Sequence, residues 1–87
     1  MNKDEIDEWG RENEEQLMLF DGFDEAIIGV GIQFSNQPVV VYSQAKIIQI
    51  LIDEGATHEE AFDHYGFNIA GSWVGNQTPM ILQDIDY

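Results

Sequence analysis

Apolar residues are sparse at the start of the chain and dense from residue 26 onward. In the first stretch Ile6 and Trp9 stand three apart, and Leu17 and Phe20 follow only after the polar run from Arg11 to Gln16. This pattern predicts a weak helix over about residues 4–19, frayed or split near Gly10. Asp21-Gly22-Phe23-Asp24 is turn chemistry. The β-branched run over 26–34, broken by Gly29 and Gly31, reads as a strand, and so does Val39-Val40-Val41-Tyr42 after Pro38. The short polar link Ser35-Asn36-Gln37 makes an antiparallel hairpin the natural connection.

Ser43 and Gly55 bracket a run with Ala45, Ile47, Ile48, Ile50, Leu51 and Ile52, a largely buried helix with an N-cap and a C-terminal glycine. Thr57-His58-Glu59-Glu60 is a capping box, in which threonine and glutamate each satisfy the other's backbone N–H, and it opens a helix that runs to about Tyr65. Residues 67–78 are rich in Gly, Ser and Asn yet hold Phe67, Ile69, Trp73 and Val74, as an ordered loop packed by its own apolar side chains would. Residues 79–85 close the chain as a strand. The expected fold is α+β: a small antiparallel three-stranded sheet with helices on one face, in the order α-β-β-α-α-β. Residues 1–20 form an acidic helical segment ahead of a single α+β domain, residues 21–87.

Charge changes this picture most. The 87 residues carry 17 Asp or Glu against 3 Lys or Arg, a formal net charge of -14. Residues 1–25 hold ten of those carboxylates against Lys3 and Arg11. Such a balance speaks against contact with nucleic-acid phosphates or an anionic membrane, and it favours a basic partner surface, a cation or plain solubility. The chain has no apolar run of membrane-spanning length, and its acidic start lacks the basic-then-apolar order of a signal peptide, so a cytoplasmic location is expected. Asn76-Gln77-Thr78 matches a glycosylation pattern but is followed by Pro79 and is set aside. Cysteine is absent, which removes disulfides and thiolate metal sites.

Catalytic motifs fail on spacing. His58 and His64 are six apart, which on a helix turns them about 240° from each other, so they do not form the H-E-x-x-H pair of a zinc site. Gly29-Val30-Gly31 lacks the third glycine of a dinucleotide fingerprint, since Phe34 stands in its place. Ser72 sits in Ala70-Gly71-Ser72-Trp73-Val74-Gly75, which is not a nucleophile elbow. Asp21, Asp24 and Glu25, or Asp84 and Asp86, do not have calcium-loop spacing. Neither catalysis, a metal nor a cofactor is expected.

The remaining candidates are Asp4, Glu5, Asp7, Glu8, Glu12, Glu14 and Glu15 as an electrostatic face, with Trp9 or Trp73 as an anchoring aromatic. As a phosphate mimic the segment is dilute. Twenty-five helical residues span about 37 Å, roughly one net charge per 4.6 Å, whereas duplex DNA carries one per ~1.7 Å. A full mimic would recruit Asp53, Glu54, Glu59, Glu60 and Asp63, or act as a homodimer. The bland alternative is a solubilising helix.

The core pattern Asp24-Glu25-Ala26-Ile27-Ile28-Gly29-Val30-Gly31, Pro38-Val39-Val40-Val41-Tyr42-Ser43, Glu59-Glu60-Ala61, Phe67-Asn68-Ile69-Ala70-Gly71-Ser72-Trp73-Val74-Gly75 and Thr78-Pro79 resembles a group of small tailed-bacteriophage proteins. The resemblance covers about residues 21–82 and implies a setting in infected bacteria, with no catalytic residues to carry over. Two functions are compatible with these readings. One is a non-enzymatic phage protein that binds and inhibits a basic host protein that handles nucleic acid or serves in defence. The other is a small ligand-binding or assembly module that acts through residues 67–79.

Overall fold

The computed structural model describes residues 2–71 and 75–84. Three helices, α1 (Lys3–Asn13), α2 (Gln44–Asp53) and α3 (His58–Tyr65), accompany three strands, β1 (Ile27–Gly31), β2 (Val39–Ser43) and β3 (Met80–Leu82), in the expected α-β-β-α-α-β order. This is a small α+β fold.

β2 lies at the centre. It pairs antiparallel with β1 from Ile27 opposite Tyr42 to Gly31 opposite Val39. A bulge between Ile27 and Gly29 lets Ile27 and Val30, three apart, both face the core, as strict alternation would not. Pairing stops at Gly31, short of the expected 34, because Pro38 has no N–H with which to extend the ladder. The loop beyond folds back through a Gln33–Asn36 turn.

β3 corrects the expectation of an all-antiparallel sheet. It runs parallel to β2, with Val41 opposite Met80 and Ser43 opposite Leu82. Gln77 Nε2 donates to the carbonyl of Pro38 at 3.3 Å, so the turn three residues before β3 is held beside the residue that precedes β2, and both strands start from one end. The crossover between them is α2, α3 and the segment after α3, as parallel pairing requires.

The caps follow local rules. Ser43 Oγ accepts from Lys46 N at 3.2 Å and opens α2, and Gly55 adopts φ 111° just past its end. The Thr57–Glu60 box is formed in both directions, at 3.1 and 3.0 Å. One core joins every layer: Ile6 from α1, Ile27, Val40 and Tyr42 from the sheet, Ile47, Ile48 and Leu51 from α2, Ala61 from α3, and Ile69. Among the described residues no helix is long and apolar enough to cross a membrane.

Helical geometry does not end at Tyr65. Gly66 keeps right-handed angles, and the chain continues as a π-helical turn over Gly66–Ala70 where a loop is expected. The wider turn brings Ile69 into the core, at 6% exposure. Trp73 and Val74, with Ser72 and Ile85, lie outside the described residues, as does the side chain of Phe67.

Candidate functional site

α1 is built by its ends. Asn2 caps it: Glu5 N donates to Asn2 Oδ1 at 2.9 Å, and Asn2 N donates to Glu5 Oε1 at 3.3 Å. The other end comes earlier than residue 19. Glu14 turns left-handed at φ 56°, and Glu15 N donates to the carbonyl of Gly10 at 2.8 Å, which closes the last turn. The return of the chain explains Gly10. A methyl group there would sit 2.6 Å from the Glu15 carbonyl oxygen, so glycine permits the close approach rather than breaking the helix.

On a helical wheel at about 100° per residue, Ile6 and Gly10 occupy one side, and Asp4, Glu5, Asp7, Glu8 and Glu12 spread over an arc of about 160° opposite them. Ile6 is 1% exposed, so α1 is fastened to the domain with its carboxylates outward. Burial of one such side chain contributes about 1.5–3 kcal/mol.

The seven carboxylates therefore separate. Asp4, Glu8 and Glu12 project freely, Asp7 stands exposed at the edge of the arc on the groove side, and Glu5 is engaged in the cap. Glu14 is exposed at the left-handed turn and Glu15 is half-buried; with Asp7 and Arg11 both line a groove of about 450 Å³ beneath the helix. Arg11 lowers the negative potential there. Trp9 is half-buried at the flank of the carboxylate arc. Trp73 lies outside the described residues, so Trp9 is the aromatic that can be placed.

A second acidic cluster was not foreseen. Asp24 and Glu25, from the turn before β1, meet Asp53 and Glu54, from the end of α2, around a cleft of about 390 Å³ that, among the described residues, no basic one lines. The two acidic pairs are nearly thirty residues apart in the chain, and only the packing of α2 on that turn joins them. Among the described residues no group of three or more His, Cys, Asp or Glu could hold a metal ion. His58 packs against Phe62, one turn further along α3, with ring centroids 4.9 Å apart and the planes tilted by 52°.

Two other carboxylates serve the fold. Asp84, just past β3, accepts from Ala45 N at 3.1 Å and from Ser43 Oγ at 2.8 and 2.9 Å, which places its charge at the N-terminus of α2. The Ala45 N–H first, and the Ser43 hydroxyl second, hold its carboxyl below the usual carboxylate range. Glu60 is lowered likewise by the backbone N–H of Thr57 and then by its side chain.

The hairpin loop, the start of β2 and residues 76–80 enclose an open groove of about 620 Å³. Its far wall is a turn in which Thr78 N and Oγ1 both donate to Gly75 O, at 3.1 and 2.6 Å. Compared with known proteins, the chain matches no family model, no curated protein and no solved structure.

Proposed function

We propose that the chain is a non-enzymatic phage protein that binds a basic host protein through the outer face of α1, and that by occupying a nucleic-acid groove it inhibits that partner. The observation that carries this reading is the outward arc of Asp4, Glu8 and Glu12, held in place by the buried Ile6. A field fixed on a docked helix steers a cationic surface more effectively than the same charges on a loose tail, because it is not averaged over many orientations. Trp9, half-buried beside the arc, offers the apolar contact that retains the partner after encounter. The resemblance of the core to phage proteins supports an infected bacterial cell as the setting.

Deleting residues 1–20 is a poor test, since it removes Ile6 from the core. Asp4→Asn with Glu8→Gln and Glu12→Gln spares the cap, the core and the Gly10 turn. Wild type incubated with bacterial lysate should retain a basic nucleic-acid-binding protein that salt and duplex DNA both displace. The triple variant, with an unchanged circular dichroism spectrum, should lose it. Retention of the same partner by the variant, or a partner indifferent to salt, would remove the proposal. The groove beside residues 75–80 favours the second reading, a ligand-binding or assembly module, for which binding would survive the triple change.

A further inference from the structure

Residues 26–45 and 65–83 contain no Asp, Glu, Lys or Arg, in a chain with 17 acidic and 3 basic side chains. Within these stretches, residues 27–43 and 75–82 make up all three strands, the hairpin loop and the turn before β3. We infer that this uncharged side of the sheet is the interface of a homodimer.

Strand alternation defines the surface. Val40, Tyr42 and Ile81 face the core, so Val39, Val41, Met80 and Leu82 face away from it, alongside Gly29 and Gly31. Met80 is 52% exposed and Leu82 48%, and at the hairpin Ile32 is 73% and Phe34 96% exposed. A Cβ on Gly31 would lie 3.0 Å from Val41 Cγ2, so the valine leans over that glycine, whereas a Cβ on Gly29 would meet nothing within 4 Å and the surface is open there. The 620 Å³ groove, which Gly31, Val39 and Met80 help to line, continues this surface, and among the described residues no charged one lines it. Large apolar side chains grouped in this way mark a contact surface.

Charge selects a second copy as the occupant. Two chains of net charge -14 repel wherever their helical sides approach, whereas the three strands carry no carboxylate, the nearest being Asp84, two residues beyond Leu82 and tied to Ser43 at the sheet's end. Gln33, Asn36, Gln37 and Asn76 around the groove carry both donors and acceptors, so the same rim can pair with itself across a twofold axis. A basic partner would find no countercharge here. The inference does not rest on the acidic-helix reading, and the two differ in salt response: salt weakens partner binding by α1 and strengthens self-association by screening repulsion.

Sedimentation equilibrium of the full chain, from micromolar to about millimolar at low and high salt, tests it. Wild type should approach twice the 9.9 kDa chain mass, with the dimer more populated at high salt. Met80→Glu and Phe34→Glu should each raise the dimer dissociation constant by tenfold or more, while Asp4→Asn with Glu8→Gln and Glu12→Gln should not weaken it. Should Met80→Glu unfold the chain, Phe34→Glu, at an almost fully exposed position, decides alone. A single-chain mass under all conditions, a dimer unaffected by Phe34→Glu, or a dimer lost with the α1 charges would overturn the inference.

Discussion

The backbone N–H of Phe20 donates a 2.8 Å hydrogen bond to the hydroxyl oxygen of Tyr42, and the two rings pack with centroids 5.0 Å apart. Tyr42 is fully buried in the central strand, so this one side chain ties the segment that follows α1 to the middle of the sheet.

Tyr42→Phe keeps the ring and removes the acceptor, leaving the Phe20 N–H unsatisfied at a cost of about 1–2 kcal/mol. The urea midpoint should fall with little change in slope. Burial, the largest influence, raises the Tyr42 hydroxyl above its ordinary range; the Phe20 bond opposes this and Asp24 adds to it. Because the folded value is the raised one, this stability is complete below about pH 10 and is lost as pH climbs through the folded value. Tyr42→Phe should therefore lose less stability at alkaline pH than wild type does; equal alkaline losses would contradict this.

Gly10→Ala sets two effects against each other. Alanine favours a helix by about 1 kcal/mol over glycine, yet its methyl would stand 2.6 Å from the Glu15 carbonyl oxygen, a backbone atom that moves only if the turn opens. Overpacking of this kind costs about 1–3 kcal/mol. Net destabilisation is expected, with faster amide exchange at Glu15; a raised melting temperature would show that the turn gives way freely.

Asp84 makes the N-terminus of α2 sensitive to acid. Its folded value is depressed, so its stabilisation is present above about pH 4 and fades as pH falls through the folded value. Asp84→Asn should be less stable than wild type at neutral pH by no more than about 0.3–1 kcal/mol, because the carboxylate is exposed and solvent screens it. The gap should narrow in thermal melts below pH 4, and a gap independent of pH would separate Asp84 from the helix end.

Carboxylate repulsion predicts that salt stabilises the fold. Raising ionic strength from 0.01 to 0.15 M shortens the screening length from about 30 to 8 Å, and the melting temperature should rise by several degrees. The α1 triple variant should show a smaller rise, and a flat response would mean that the carboxylates lie too far apart to interact.

Rules that act within a few residues were legible in the chain. The Thr57 box, the Ser43 cap and the left-handed Gly55 all appear as expected, since each depends on a side chain reaching its own neighbouring backbone. Asn2-x-x-Glu5 carries the same signature and was readable in principle. The acidic segment was legible too, because charge and helical periodicity are properties of the string; that Ile6 would enter the core of the domain was not, since the pattern only pairs it with Trp9.

Packing decided the rest. The direction of β3 depends on where the crossover returns, and Gln77 meets Pro38 from 39 residues away. Asp84 finds Ser43 across 41 residues, and Asp24 finds Asp53 only because α2 lies on the turn before β1. Gly10 reads as a helix breaker until the return of Glu15 shows what it accommodates. Local sequence chooses the elements because short-range hydrogen bonds and periodicity suffice for them. The faces that meet, and the sheet surface left uncovered, follow from contacts between distant residues, whose partners no short window contains.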